Sequence, residues 1–221
     1  MFFLCLQNIP ALDIAITEKE AEASLKGEYN RSLLYYGELS SAGRLELNSR
    51  CTFSGGISLG KAEGITDIKL FTAARVDPLE GKPLHLTLGY IYNGLPEYEA
   101  HSHTILPVVA YNAKRAGIAI GMGLRFTSFF TEPALFESML SFSGYFNFIN
   151  NETLCIGINC ANFDDFSVKN MGAYSFGLNS SVRLNGQWSL INELRLLQSG
   201  SVGLSSNFYG IALRTGVKFT W

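Results

Sequence analysis

No apolar run in this sequence approaches the roughly 18 residues that a membrane-spanning helix needs, although 47% of its 221 residues are hydrophobic. The apolar residues must therefore be spread over shorter elements. Charge is also scarce: Asp, Glu, Lys and Arg make up 16%, the net charge is -2, and there is no basic block or acidic tail. A nucleic-acid surface needs concentrated cations to neutralise phosphates, so that class of function is excluded. The three histidines, His85, His101 and His103, stand at no motif spacing from a nucleophile and a carboxylate, and no catalytic residue is assigned. His101 and His103 read as loop residues, with only Glu97 and Glu99 nearby as further ligands. Four cysteines make no disulfide framework: Cys155 and Cys160 fall on opposite faces of one predicted strand, Cys5 lies in a separate N-terminal segment, and Cys51 sits on an apolar face. No Cys or His pair has ligand spacing, so neither a metal nor a cofactor is expected. Gly55-Gly56 and Gly121-Met122-Gly123 lie inside strand patterns without a following helix, which rules out a phosphate-cradling loop.

What the sequence does contain is period-two alternation, which dominates beyond Lys19. The closing segment sets Tyr209, Ile211, Leu213, Thr215, Val217, Phe219 and Trp221 on one face, against Gly210, Ala212, Arg214, Gly216, Lys218 and Thr220 on the other. Residues 44–59 read as one long strand, with Leu45, Leu47, Cys51, Phe53, Ile57 and Leu59 opposite Arg44, Glu46, Asn48, Arg50 and Thr52. At the usual rise such a strand extends about 50 Å, enough to cross a tilted bilayer. Segments 65–76, 83–93, 115–130, 135–149, 153–163, 171–184 and 187–198 continue the pattern, for ten to twelve strands in all. Three places fit less well. Pro107 lacks the N–H a ladder needs, residues 21–40 read either as one strand or as a hairpin near Asn30-Arg31, and Asn192 falls on an otherwise apolar face, which suggests a register break.

Connections and aromatics add sidedness. Asn185-Gly186, 150–152 and 112–114 read as tight turns at the end of the sheet that carries the C-terminus. The longer stretches 93–102, 164–170 and 199–206 are expected at the other end. Tyr90, Tyr92, Phe126, Phe136, Phe176 and Tyr209 cluster near one set of strand ends, and Phe146, Trp188, Phe219 and Trp221 near the other.

The last residues resemble the C-terminal targeting strand of bacterial outer-membrane β-barrels, which carries a polar residue, then Gly, then two aromatic or apolar residues at alternate positions. Here these are Arg214, Gly216, Phe219 and Trp221. The resemblance points to no narrower family. Together with the alternation it implies an all-β fold, a closed antiparallel transmembrane β-barrel over residues 20–221, in a Gram-negative-type outer membrane. It also implies contact with outer-membrane lipid, and handling by periplasmic chaperones and the barrel-assembly machinery through Gly216, Phe219 and Trp221 as assembly signal. Residues 1–19, which include the apolar Phe2-Phe3-Leu4-Cys5-Leu6, are expected to be a signal-peptide remnant or a periplasmic tail.

In such a barrel the polar faces line the lumen. Their cations, Lys26, Arg44, Arg50, Lys69, Arg75, Arg115, Arg125, Arg183, Arg195, Arg214 and Lys218, outnumber the anions Glu28, Glu46, Asp67, Glu137 and Glu193. The expected function is a porin-like channel for small solutes with a weak anion preference. Its alternative is a lumen filled by internal salt bridges, in a structural or surface-interaction barrel. A carrier of apolar molecules would need an apolar interior pocket, which these faces do not show. A soluble lipocalin-like barrel has the same alternation with inverse parity and stays open at this stage.

Overall fold

A meander of hairpins leaves two open edges unless its first and last strands pair, and here they do. The computed structural model describes residues 18–31, 34–48, 50–79, 82–130, 134–201 and 205–221. Its strands are β1 (Glu18–Asn30), β2 (Leu34–Asn48), β3 (Cys51–Ala62), β4 (Ile65–Val76), β5 (Leu84–Leu95), β6 (Ala100–Asn112), β7 (Ala116–Ser128), β8 (Leu135–Asn150), β9 (Leu154–Ala161), β10 (Phe163–Asp164), β11 (Ser167–Val168), β12 (Ala173–Arg183), β13 (Trp188–Ser201) and β14 (Ser205–Thr220). All but β10 and β11 pair antiparallel with their neighbours in a closed barrel of twelve strands. The seam joins β1 to β14 from Glu20↔Thr220 to Asn30↔Gly210. Lys19 and Trp221 exchange backbone hydrogen bonds of 3.1 and 3.0 Å, which tie the aromatic end of the chain into the sheet. Residues 1–17, and with them most of the expected signal remnant or tail, lie outside the described residues.

Side-chain parity separates the membrane reading from the soluble one. Large apolar residues point outward around the whole circumference, among them Leu39 (60% exposed), Ile118 (62%) and Leu213 (57%), while Ser24, Glu38, Lys69 and Ser141 are buried inside. A soluble barrel has the opposite parity, because only hydrocarbon makes such a belt favourable. The belt ends in aromatic clusters. At the rim carrying Trp221, which we call the terminal rim, Phe219 packs between Trp188 and Trp221 with ring centroids 4.7 and 5.2 Å away. At the opposite rim His101 and His103 belong to β6 and not to a loop, on the outward face with Tyr90 and Tyr92. A hydrogen bond of 2.7 Å joins the Tyr90 hydroxyl to His103 Nδ1. Amphipathic rings of this kind suit the membrane–water interface.

The stretch 44–59 is two strands and not one. β2 ends at Asn48 and β3 begins at Cys51, with Asn48↔Cys51 as the last pair before the turn. The pair Asn48↔Cys51 by itself shifts the period-two parity by one, but the bulge between Glu46 and Asn48 shifts it back, so Leu45 pairs with Phe53 and the alternation runs through unbroken. Arg50, expected on the lumen wall, therefore sits exposed in the turn. Residues 21–40 form the hairpin alternative, β1 and β2. Pro107 stays within β6, and the β6–β7 ladder pairs neither Leu106 nor Pro107 before resuming at Val108.

Asn192 needs no register break, since the β13–β14 bulge lies farther along, at Leu197/Gln198. It faces outward and accepts a 2.9 Å hydrogen bond from the hydroxyl of its partner Thr215. One bond leaves the amide group of Asn192 without protein donors or acceptors enough in hydrocarbon. Replacing the pair in N192L/T215V is expected to stabilise the barrel by about 1–2 kcal/mol. Urea unfolding of protein reconstituted in lipid would show this as a raised midpoint, and an unchanged or lower midpoint would refute it.

The alternation of short and long connections is weaker than the sequence suggested. β5 and β6 extend to leave only a 3-10 turn, Pro96–Tyr98, and Glu99 with a positive φ of 47°. β13 and β14 likewise absorb most of 199–206. The exception is the eleven-residue connection between Ala161 and Ala173. It does not project outward but turns into the barrel.

Candidate functional site: a constricted lumen

Residues 163–168 form a hairpin inside the lumen, with pairs Phe163↔Val168 and Asp164↔Ser167. Its neck is held by one side chain. Asn162, buried, donates from its amide nitrogen to the carbonyls of Leu140 (2.8 Å) and Lys169 (2.9 Å) and accepts from the backbone N–H of Phe142 (2.7 Å). The backbone N–H of Lys169 closes the neck on the Asn162 carbonyl at 2.8 Å. Apolar contacts then fasten the hairpin to one side of the barrel. Phe166 and Val168 pack with Phe71, Ile91, Leu106 and Met139 on β4 to β8, with Phe166 edge-on to Phe71 at 4.9 Å. Arg125 donates to the Val168 carbonyl. At the tip, Asp164 accepts from the Phe166 N–H (3.0 Å) and the Ser167 hydroxyl (3.1 Å), and meets Arg195 of the opposite wall at 3.1 Å.

Between the tip and that opposite wall the space shrinks to about 20 Å³, bounded by Lys26, Glu38, Asp165, Arg195 and Arg214. That holds about one water. Toward the terminal rim the lumen widens into chambers of about 200, 240 and 250 Å³.

Most of the charged wall is cross-strand pairs. Lys69 donates to Glu38 (2.9 Å), Asp67 (3.0 Å) and the Tyr36 hydroxyl (2.9 Å), and Tyr36 donates in turn to Glu38 at 2.7 Å. These groups belong to β2 and β4 and meet across β3 because Gly60 lies beneath them, where any Cβ would overlap the Tyr36 hydroxyl and the Asp67 carboxylate. Arg195 binds Glu193 at 2.7 Å, and Asn159 donates to Glu193 at 2.7 Å across Gly177. Arg214 meets Glu22 and donates to Ser24 at 2.9 Å, and Lys218 meets Glu20 at 3.1 Å. Arg44 stands 3.9 Å from both Glu20 and Glu46, and Arg125 stands 3.7 Å from Glu137. Lys26 pairs with Glu28 at 3.1 Å. Near the terminal rim Arg75 binds Asp77 at 2.9 Å, and the Asp77 carboxylate also meets His85 at 2.5 Å.

The structure thus brings Arg44, Glu46, Asp67, Lys69, Arg75, Arg125, Glu137, Glu193, Arg195, Arg214 and Lys218 onto the lumen wall. Arg183 ends β12 at the terminal rim, exposed. Arg115 lies in the turn between β6 and β7. Sequence reasoning missed Glu20, Glu22, Glu38, Asp77 and Asp164 as partners. Glu20 and Glu22 share the parity of Lys26, which was the available signal; Asp164 had none, since its stretch read as an outer loop. Gly216 seats its strand against Ser24 and the Ala23 carbonyl, where a Cβ would collide.

No protein-family model and no curated protein matches the chain. Its fold does match solved structures. The translocator domain of the autotransporter NalP from Neisseria meningitidis aligns over 94% of this chain and 90% of that one, with a TM-score of 0.64 at 13% identity. The NanC porin aligns over 89% and 98%, with a TM-score of 0.61 at 10% identity. The outer membrane phospholipase A from Escherichia coli aligns over 94% of each chain, with a TM-score of 0.51 at 7% identity. The fold is therefore that of the outer-membrane β-barrels. With its outward apolar belt and aromatic rims, the protein is a twelve-stranded barrel of an outer membrane.

Proposed function

We propose that the protein is a narrow channel for passive passage of small polar solutes, with the inward hairpin as its constriction. The asymmetry of the lumen supports this reading. Apolar contacts hold the hairpin to the side formed by β4 to β8, while the side formed by β12 to β14 with β1 and β2 carries hydrogen-bonded polar groups from Ser175 and Lys26 down to Lys218 and Arg44. Such a wall replaces part of a solute's hydration along a continuous path. The porin among the compared structures has the same fold, which makes a channel-type barrel the natural parent; the phospholipase shows that the fold alone does not decide activity.

The anion preference suggested by the sequence is opposed at the narrowest point. Lys26, Arg195 and Arg214 there face Glu38, Glu193, Asp164 and Asp165. We therefore take the selectivity to be weak. We also take Gly216, Phe219 and Trp221 as the segment read by the assembly machinery, since Gly216 and Phe219 pair with Ser24 and Ala21 on the seam that closes the barrel and Trp221 follows at the terminal rim. In planar bilayers, refolded protein is expected to give small discrete conductance steps with a reversal potential near zero under a KCl gradient. Folded protein, judged by a heat-dependent mobility shift, that gives no steps would support the filled-lumen alternative instead.

A further inference from the structure

The chamber of about 240 Å³ below the hairpin differs in kind from the rest of the lumen. Its wall comes from β4 to β8, with Phe71, Ile91, Leu106 and Phe163 around the small residues Ala110 and Ala119. No Lys, Arg or His lines it; its charged groups are Asp164 and Asp165 at the hairpin end. Asp164 is already taken by Arg195 and by hydrogen bonds of its own turn. Asp165 makes no ion pair or hydrogen bond with the described residues, and at the hairpin tip inside the barrel it borders this chamber, the neighbouring one and the water-sized gap beside Arg195 and Arg214. An apolar pocket with one unclaimed carboxylate at its mouth favours a ligand of matching shape and opposite charge.

We propose that this chamber binds a small cationic amphiphile, an aromatic or branched primary amine, with its apolar body against Phe71, Ile91 and Leu106 and its ammonium on Asp165. The volume sets the size. An apolar cavity of about 150 Å³ holds a benzene ring, so this one takes a ring with a short side chain, about ten non-hydrogen atoms in all. The neighbouring chamber shares Asp165 and Phe71 with this one but sets Arg44 and Lys218 beside Glu20 and Glu22, and it lacks the wall of Ile91, Leu106 and Phe163. The apolar interior that a carrier of such molecules requires is thus present, though confined to one side of the barrel. Binding here does not depend on whether the lumen conducts, so it stands or falls separately from the channel reading.

The test uses full-length protein in lipid nanodiscs, titrated calorimetrically with 2-phenylethylamine, with 3-phenylpropionate as the anionic counterpart. A ligand of this size is expected to bind with a Kd of about 0.1–1 mM. D165N, which removes no ion pair, is expected to weaken the amine at least about fivefold, the loss of one charge-assisted contact. A119L, which fills the chamber and leaves Asp165 in place, is expected to abolish binding with no change in folding. Equal affinity of wild type and D165N, equal binding of the carboxylate, or unaltered binding by A119L would each overturn the proposal.

Discussion

Replacing residues 163–168 by a two-residue turn is expected to raise single-channel conductance by roughly tenfold or more while leaving the barrel folded, since conductance follows the narrowest cross-section. The barrel ladder does not use the hairpin: β9 pairs directly with β12 from Ser175↔Ala161 to Val182↔Leu154. The neck bonds between Asn162 and Lys169 also lie outside the excised segment. Removal joins the water-sized gap to the chambers of about 240 and 250 Å³ beside it. It also uncovers Phe71, Ile91 and Leu106, so some stability is lost with the apolar contacts of Phe166 and Val168. Bilayer recordings alongside a heat-dependent mobility assay separate the outcomes. Unchanged conductance in a folded variant would show that the hairpin is not the constriction.

The second large effect concerns Lys69. Its ammonium is shared by Glu38, Asp67 and Tyr36, and the ionic side chains of the group are only 8–12% exposed. K69M leaves two carboxylates facing each other with only Lys26, already paired with Glu28, across the ladder from Glu38, and removing one member of a buried group of charges costs about 3–5 kcal/mol. The urea midpoint of the reconstituted barrel should fall accordingly. The triple variant E38Q/D67N/K69M should recover much of the loss, because the cost arises from uncompensated charge and not from the missing side chain. If K69M left the midpoint unchanged, lumen water would be screening these groups and the wall would be less dry than its geometry implies.

Strand existence, parity and the closing seam were legible because lipid imposes a simple rule: every second residue must be apolar, over a stretch long enough to cross. The segment 209–221 obeys it without exception apart from Thr215, and that exception is matched by Asn192 across the ladder. Strand ends were less legible. The break between Asn48 and Cys51 hides in an alternation that the bulge after Glu46 restores, and the outer connections shrink because strands run past the membrane-crossing length.

The lumen was legible only in part. Most polar-face cations lie on the wall, Arg50, Arg115 and Arg183 excepted, but Glu20, Glu22, Glu38, Asp77 and Asp164, which pair with them, were missed. Phe71, Ile91 and Leu106 share a face with Lys69, His85 and Thr104, so the apolar side of the lumen was written in the sequence as inward-facing apolar residues among polar ones. Nothing local distinguishes such residues from a lapse in alternation.

By itself the sequence determined period-two strands, the two faces of each and the closing seam, because those depend on patterning and on a solvent that penalises every unpaired backbone group, while the outward turn of the apolar face came from the structure. The tertiary structure alone decided that the connection after β9 turns inward. That choice rests on contacts between residues far apart in the chain: Asn162 with Leu140, Phe166 with Phe71 and Asp164 with Arg195. Such contacts leave no periodic trace in a linear chain, and they set both the width of the lumen and the place where a ligand can sit.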